Sequence, residues 1–395
     1  MTDHFNEDWQ CYVPPVYFGP GRLDEAATLI RDRHFARVLL VTDPGIAQQT
    51  FFSRLCKSLE HNTIDYRVFS AVRGNPTSEN VADCCAVFRD NDCDAIVTIG
   101  GGSAIDVAKA VSLTAANHHD LWDFCFFEDP ANLPAVRGED FFVPLLIIPT
   151  TAGTGSELSG SSCVITDCDS HRKRVPYHPE HFPFAVIDDP QLLTGLPANL
   201  SAWTGMDALT HALEAYSSPV FNPMCDGIAL EAIRLCHQWL EKSVANGSDL
   251  TARSQMMAAS SIAAVAFSAK GLGAVHSLAH AIGALFDTHH GLANAVVLPY
   301  MLEHNKEALA DKLTTIACLL NLPEKSPDGV IQWLLALRQS LNIPSTLADL
   351  NIAESDLQAI AELALKDAEH QTNPVSMDEN AFMQVCHKAL HGRIG

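Results

Sequence analysis

Four short apolar runs in the first 150 residues, each set beside a helical stretch, constrain the fold of this chain more than any other feature. Arg37–Thr42, Tyr66–Phe69, Ala95–Ile99 and Pro144–Ile148 carry the Val, Ile and Leu of strands, and helices fit 22–33, 78–91 and 103–116. Strands that stay apolar without alternating need cover on both faces, and strands separated by helices pair in parallel. The expectation is an open parallel sheet with helices on both sides. Val164–Thr166 and Arg174–Tyr177 form a candidate hairpin across Cys168–Arg172. From about Pro197 the texture changes: Ala, Leu, Met and His recur at helical spacing over 199–216, 224–245, 251–269, 274–285 and 292–308, with further helices out to Leu390 and no clear strand. A boundary at Leu192–Pro197 divides the chain into an α/β part, 1–196, and an all-helical part, 197–395.

Composition narrows the partners. At 395 residues and 47% hydrophobic, the chain can bury two cores. A formal net charge of −22 repels phosphate backbones, so nucleic acid is not an expected partner. Met1–Pro15 carries Asp3, Glu7 and Asp8 and no Lys or Arg, unlike a secretory signal. Apolar windows such as Ile262–Phe267 are too short to span a bilayer, so no membrane partner and a cytoplasmic location are expected. The twelve cysteines contain no Cys-x-x-Cys and suit reduced thiols.

Two loops follow strands and point to a nucleotide. Gly100-Gly101-Gly102-Ser103 opens the helix that begins at Ala104. Glycines allow close backbone approach, and a helix N-terminus offers free N–H groups and a positive dipole to a pyrophosphate. Ser103 is the expected helix cap and a further phosphate donor. An ordinary glycine turn accounts for the same residues. The second loop, Pro149-Thr150-Thr151-Ala152-Gly153-Thr154-Gly155-Ser156-Glu157, makes a hydroxyl-rich wall suited to a ribose and a nicotinamide amide. Two such loops at the carboxyl edge of one parallel sheet favour a ligand over a surface turn. Asp43 ends the first strong strand, where a carboxylate accepts ribose hydroxyls and repels a 2′-phosphate, favouring NAD over NADP. A routine Asp-Pro turn is the other reading of that position.

The helical part holds a second constellation. Asp207 and His211 are four residues apart, as are His276 and His280, so each pair shares a helix face, and His290 follows. One carboxylate with several imidazoles suits a divalent transition metal such as Fe2+ or Zn2+. The alternative is a set of core residues hydrogen-bonded to one another. For His4, His34, His61 or His171 alone, an ordinary structural role is the expected reading.

Taken in order, these blocks resemble the iron-containing alcohol dehydrogenases over nearly the whole chain. The resemblance runs from Phe18-Gly19-Pro20-Gly21 through Asn75-Pro76-Thr77, Gly100–Ser103 and the 149–157 block. It continues through Gly205–Ala212 and Gly273–His280 to His290-Gly291-Leu292-Ala293-Asn294-Ala295. It implies a dehydroquinate synthase-like architecture: a parallel-sheet NAD-binding domain over 1–196, then an all-helical metal-binding domain over 197–395. It implies Asp207, His211, His276 and His290 as metal ligands, with Fe2+ ahead of Zn2+. Asp43, Asn75, Gly101, Gly102, Ser103, Thr150, Thr151, Thr154 and Lys173 are implied as NAD(H) contacts, and His280 as the residue that relays protons. The activity implied is direct hydride transfer between nicotinamide and a small alcohol or aldehyde. The assembly implied is a homodimer or larger, with Val16–Phe18 at the interface. The segment Glu157–Val164 is one residue longer than is usual in the family, and His289 stands where proline is common.

Two further readings remain open at the level of sequence. One is another enzyme on the same scaffold, such as a polyol- or glycerol-phosphate dehydrogenase or a dehydroquinate synthase-like lyase. The other is a non-catalytic scaffold for metal and nucleotide, which turnover of NADH with any aldehyde would eliminate. Lys270, six residues before His276, reads either as a solvated loop lysine or as a recognition point for an anionic aldehyde.

Overall fold

The computed structural model describes residues 11–125, 130–138, 140–170 and 172–394. The acidic residues of the extreme N-terminus, His4, and His171 of the candidate hairpin lie outside these. In the first half the elements are β1 (Val16–Phe18), α1 (Ala26–Arg31), β2 (Arg37–Val41), α2 (Thr50–His61), β3 (Asp65–Phe69), α3 (Ser78–Asp90), β4 (Ala95–Gly100), α4 (Gly102–Thr114), β5 (Leu145–Pro149), β6 (Ile165–Thr166), β7 (Lys173–Arg174) and β8 (Ala185–Asp188). Then follow α5 (Ala198–Ser217), α6 (Pro223–Ala245), α7 (Leu250–Lys270), α8 (Ala274–Phe286), α9 (His290–Asn305), α10 (Ala310–Leu319), α11 (Pro327–Ser340), α12 (Leu357–Leu365) and α13 (Glu379–His391).

The chain forms two compact units. One contains Tyr12–Thr151 and Gly155–Gly195; the other contains Ala152–Thr154 and the chain from Leu196 onward. The first unit is built on a six-stranded sheet in the order β1-β8-β5-β4-β2-β3, parallel at every pairing. Strand residues obey a period of two. Val38, Leu40, Val97, Ile99, Leu146 and Ile148 share one apolar cluster with Ala27 and Ile30 of α1 and Leu55 and Leu59 of α2. The alternate residues Leu39, Ile96 and Ile147 are equally buried on the opposite face. Full burial of each such side chain contributes about 1.5–3 kcal/mol, which is why the central strands read as unbroken apolar runs.

The order of strands reverses between β2 and β4. The chain goes from β2 outward to β3, then crosses back to β4 and continues to β5 and β8. At such a switch point the carboxyl ends of neighbouring strands leave a crevice for ligands. Asp43 follows β2 there and Gly100 ends β4; a Cβ at Gly100 would lie 3.7 Å from Asp43 Oδ2.

The four expected strands are present, and β6 pairs antiparallel with β7, placing Thr166 opposite Lys173. The expected helix over 22–33 is a 3-10 turn, Arg22–Glu25, followed by the short α1. α2 and β8 were not anticipated. β8 has only four residues, set between Pro183 and Asp189-Pro190, although Ala185–Asp188 are all buried.

The second unit is helical, and no strand follows Asp188 among the described residues. Helix starts are fixed by side chains: Asn222 accepts from Cys225 N ahead of Pro223, Asp249 from Ala252 N, and Asp378 from Ala381 N. α5 is buried on almost every side and packs against α6, α7 and α9. A helix apolar all round belongs inside its unit, so polar groups on α5 need partners there. No single helix among the described residues is long and apolar enough to cross a membrane.

Candidate metal and nucleotide sites

The polar groups of the inner helices meet at one point. Asp207 and His211 face the same way from α5, His276 comes from α8, and His290 is the first residue of α9. One ligand atom from each lies within 4.8 Å of all the others. Asp207 Oδ1 stands 3.9 Å from His211 Nε2, 4.0 Å from His276 Nε2 and 3.6 Å from His290 Nε2. These separations exceed hydrogen bonds. They leave room for a cation that these four side chains would hold between them.

The imidazole tautomers follow from what each second nitrogen touches. His211 Nδ1 lies 3.2 Å from the Gly153 carbonyl, which can only accept, so Nδ1 carries the hydrogen and Nε2 the lone pair. His276 Nδ1 is bonded to the Glu214 carboxylate, with the same consequence for its Nε2. Glu214 also accepts from Val275 N at 2.8 Å, so it fixes the start of α8 as well as the ring. Such outer partners orient metal-binding histidines. Burial pushes the His211 pKa down to about 4, keeping that ring neutral. Burial opposes charge on His276 too, but the Glu214 carboxylate outweighs it and the net shift is upward.

Asn294 tests whether the pocket favours a cation. Its Nδ2 lies 2.7 Å from Asp207 Oδ1, 3.2 Å from His276 Nε2 and 3.1 Å from His290 Nε2, while its buried Oδ1 has no hydrogen-bond partner among the described residues. An amide nitrogen placed between a carboxylate oxygen and the His276 lone pair marks a position that attracts positive charge. One carboxylate and three imidazoles, two of them with Nε2 left as the lone-pair nitrogen, fit a divalent transition metal.

His280 takes a different role. Its Nδ1 lies 2.8 Å from Asp367 Oδ2, and Asp367 Oδ1 accepts from Ser277 Oγ at 2.9 Å. Burial works against the charge of Asp367, yet the His280 ring holds its pKa below the usual range. Nearby Glu369 is pushed up to about 7, by burial and then by the Asp367 charge.

Two glycines make these approaches possible. A Cβ at Gly153 would sit 2.5 Å from Thr204 Cβ, so only glycine lets residues 152–154 rest on α5 and present a carbonyl to His211. A Cβ at Gly291 would sit 2.3 Å from the Trp203 carbonyl oxygen. That contact sets how closely α9 lies on α5.

In the sheet unit, Gly101 precedes α4 in an extended conformation. Ser103 is not the cap: it is the second residue of the helix, and its Oγ donates to the Gly74 carbonyl at 2.6 Å. It therefore ties the glycine loop to the turn that carries Asn75. Lys173 Nζ donates to Asn75 Oδ1 at 3.2 Å, joining two of the sequence-predicted nucleotide residues. Thr150 N donates to the Gly100 carbonyl, and the Thr151 methyl approaches Gly101, so both loops meet at the β4–β5 edge. Thr154 falls in the segment grouped with the helical unit. Asp43 Oδ1 accepts from Gly45 N and Ile46 N, the turn reading of that residue, while Oδ2 stands toward Gly100.

Sequence reasoning missed several residues. Glu214 lies three residues after His211 on the same face of α5, and Asn294 four after His290, so helical spacing could have found both. Asp367 carries no such signal. Lys109 of α4 is also buried, and Asp106 one turn before it is half-buried. Asp106 accepts from Ser156 Oγ and Val164 N, and Lys109 donates to Ser159 Oγ and the Ser162 carbonyl. Together they pin the segment after the threonine block to the helix of the glycine loop.

Lys270 corrects both expectations. It is 1% exposed and donates to the Val220 carbonyl and to Asp226, so it is neither solvated nor available to a substrate anion.

The chain is similar to known proteins along nearly its whole length. The iron-containing alcohol dehydrogenase profile matches residues 14–190, and the C-terminal profile of the Fe-containing alcohol dehydrogenase family matches 201–390. The 1,3-propanediol dehydrogenase of Klebsiella pneumoniae is 38% identical over 388 residues, covering 96% of this chain and 98% of its own. Alcohol dehydrogenase 4 of Saccharomyces cerevisiae is 35% identical over 381 residues, covering 96% and 97%. A crystal structure of a 1,3-propanediol oxidoreductase superposes with a TM-score of 0.91 at 35% identity, covering 97% of this chain and all of that one.

Proposed function

The chain belongs to the iron-containing alcohol dehydrogenase family, and on that premise we propose that it interconverts a small alcohol and its aldehyde with NAD(H), using Asp207, His211, His276 and His290 to hold a divalent cation. Fe2+ is the cation of first choice and Zn2+ the second, since three imidazoles and a carboxylate accept either. The observation that carries this reading is the convergence of those four ligand atoms, with two ring tautomers set by Gly153 and Glu214. A cation held there supplies Lewis acidity toward the substrate oxygen, and the nicotinamide gives or takes the hydride.

The chain's own groups do the rest. Because Asp367 takes the Nδ1 hydrogen of His280, the other ring nitrogen is left as a base, and it is the proposed station for the proton exchanged with the substrate. Gly101, Gly102 and Ser103 offer the start of α4 to the pyrophosphate. Thr150, Thr151 and Thr154 supply hydroxyls to the cofactor, and Asn75 and Lys173 supply a linked polar pair. Asp43 is proposed to meet the adenosine ribose and repel a 2′-phosphate. In this reading residues 1–196 form the NAD-binding domain and 197–395 the metal-binding domain.

A second copy of the chain is the proposed macromolecular partner, as a homodimer or larger assembly. β1 lies at one end of the sheet order and Phe18 is 42% exposed, an edge that a second strand would cover. We place the enzyme in the cytoplasm, consistent with its free thiols.

The test is metal analysis joined to NADH titration. His211→Ala and His276→Ala are expected to lose bound metal and aldehyde reduction while binding NADH as the parent does. Full turnover in either variant would refute the ligand set. Asp43→Gly is expected to raise activity with NADPH relative to NADH; a parent enzyme that already prefers NADPH contradicts the role given to Asp43.

A further inference from the structure

A second cluster of ligand atoms lies on the surface of the helical unit and shares no residue with the site above. His387 and His391 are four apart on α13, so their rings project from one face a single turn apart. Glu354, in the 3-10 turn Glu354–Asp356, reaches between them. Each of its oxygens meets one ring, Oε1 at 3.1 Å from His387 Nδ1 and Oε2 at 3.3 Å from His391 Nε2. One ligand atom from each of the three residues lies within 4.8 Å of the others.

We propose that Glu354, His387 and His391 form a surface site for a divalent transition cation of the nickel, copper or zinc kind. The donor set is two imidazole nitrogens and one carboxylate, which selects these ions over Mg2+ and Ca2+. A helical pair of histidines one turn apart is a ready-made chelate, because the backbone holds both rings before any ion arrives. The three side chains are between 43% and 60% exposed, so water completes the coordination and exchange with solvent is open. The net charge of −22 raises the local concentration of cations. Binding joins the turn at Glu354 to α13 and so restrains the C-terminal helix. The competing account is a plain ion pair between Glu354 and protonated histidines, which takes up no metal.

The experiment uses the holoenzyme, with its resident metal counted per chain beforehand. The protein is dialysed against Ni2+ at about pH 8, where free imidazoles are neutral, and nickel and resident metal are both counted. One added nickel per chain with the resident metal unchanged is expected. Glu354→Gln and His391→Ala should each lose that equivalent and keep full aldehyde reduction. With Cu2+ as the probe, electron paramagnetic resonance should show coupling to two nitrogens in the parent and to one in His387→Ala. No added nickel, nickel gained only by displacing the resident metal, or unchanged uptake in a His387→Ala, His391→Ala double variant would overturn the site.

Discussion

Replacing Gly291 by alanine tests how tightly the geometry of the proposed metal ligands depends on the packing of two helices. The new methyl would lie 2.3 Å from the Trp203 carbonyl oxygen, 2.9 Å from its carbon and 3.2 Å from Asp207 Cβ. Ordinary contact with that oxygen needs about 1 Å more. The oxygen belongs to the backbone of α5 and cannot swing aside, so α9 must move. His290 is the first residue of α9 and Asp207 is on α5, and their ligand atoms stand 3.6 Å apart. A misplacement of about 1 Å in a reacting geometry costs on the order of 100-fold, and overpacking costs about 1–3 kcal/mol of stability. The assay is kcat/KM for a small aldehyde with NADH, read beside metal per chain and the Kd for NADH. We expect kcat/KM to fall by about 100-fold, metal content to fall with it, and the NADH Kd to stay unchanged. Gly227→Ala in α6 is the control: nothing lies within 4 Å of that position, so it should gain about 0.8–1 kcal/mol of helix stability and keep full activity. A Gly291→Ala enzyme with full metal and full turnover would refute the argument.

Three other perturbations have definite outcomes. Glu214→Gln removes the carboxylate behind His276 and should weaken metal binding by about 10–100-fold, measured by chelator competition. Lys270→Met leaves Asp226 and the Val220 carbonyl without their donor; because Asp226 is partly exposed, the loss should be about 2–3 kcal/mol in denaturant titration. Its effect on turnover should be equal for neutral and anionic aldehydes, and a selective loss with the anionic one would contradict the buried pairing. His181 is held neutral, its pKa pushed down by burial to about 3, so between that value and the unfolded value near 6.5 the unfolded chain binds more protons. Stability is therefore complete above that window and lost as pH falls through it. Between pH 7 and pH 5 the parent should lose about 2 kcal/mol more than His181→Gln in the same titration.

The sheet was legible because its central strands are buried on both faces, which leaves the continuous runs at 95–99 and 145–148. β8 escaped notice because four buried residues at the end of a loop carry too little pattern. The helices α5 to α9 were legible from spacing alone, and helical spacing also paired Asp207 with His211. Spacing could not show what stands behind the rings. Asp367 reaches His280 from 87 residues away, and the Gly153 carbonyl reaches His211 from 58 residues away. A carbonyl acceptor has no sequence signature at all. Lys270 misleads because a lysine beside Gly271 looks like a helix end in water; the pairing that buries it comes from Val220 and Asp226 on another segment.

The three residues Ala152–Thr154 belong to the helical unit although the chain on both sides of them belongs to the sheet unit. The helical half is therefore not a separable module. A fragment expressed from residue 197 would lack the carbonyl that sets the His211 tautomer, and a chimera joined at that point would take it from the donor of its first half. During synthesis the order is favourable, because the segment leaves the ribosome before the helices that receive it. The two halves are tied in inheritance as well: a change near Gly153, far upstream in the gene, acts on the chemistry of the second half.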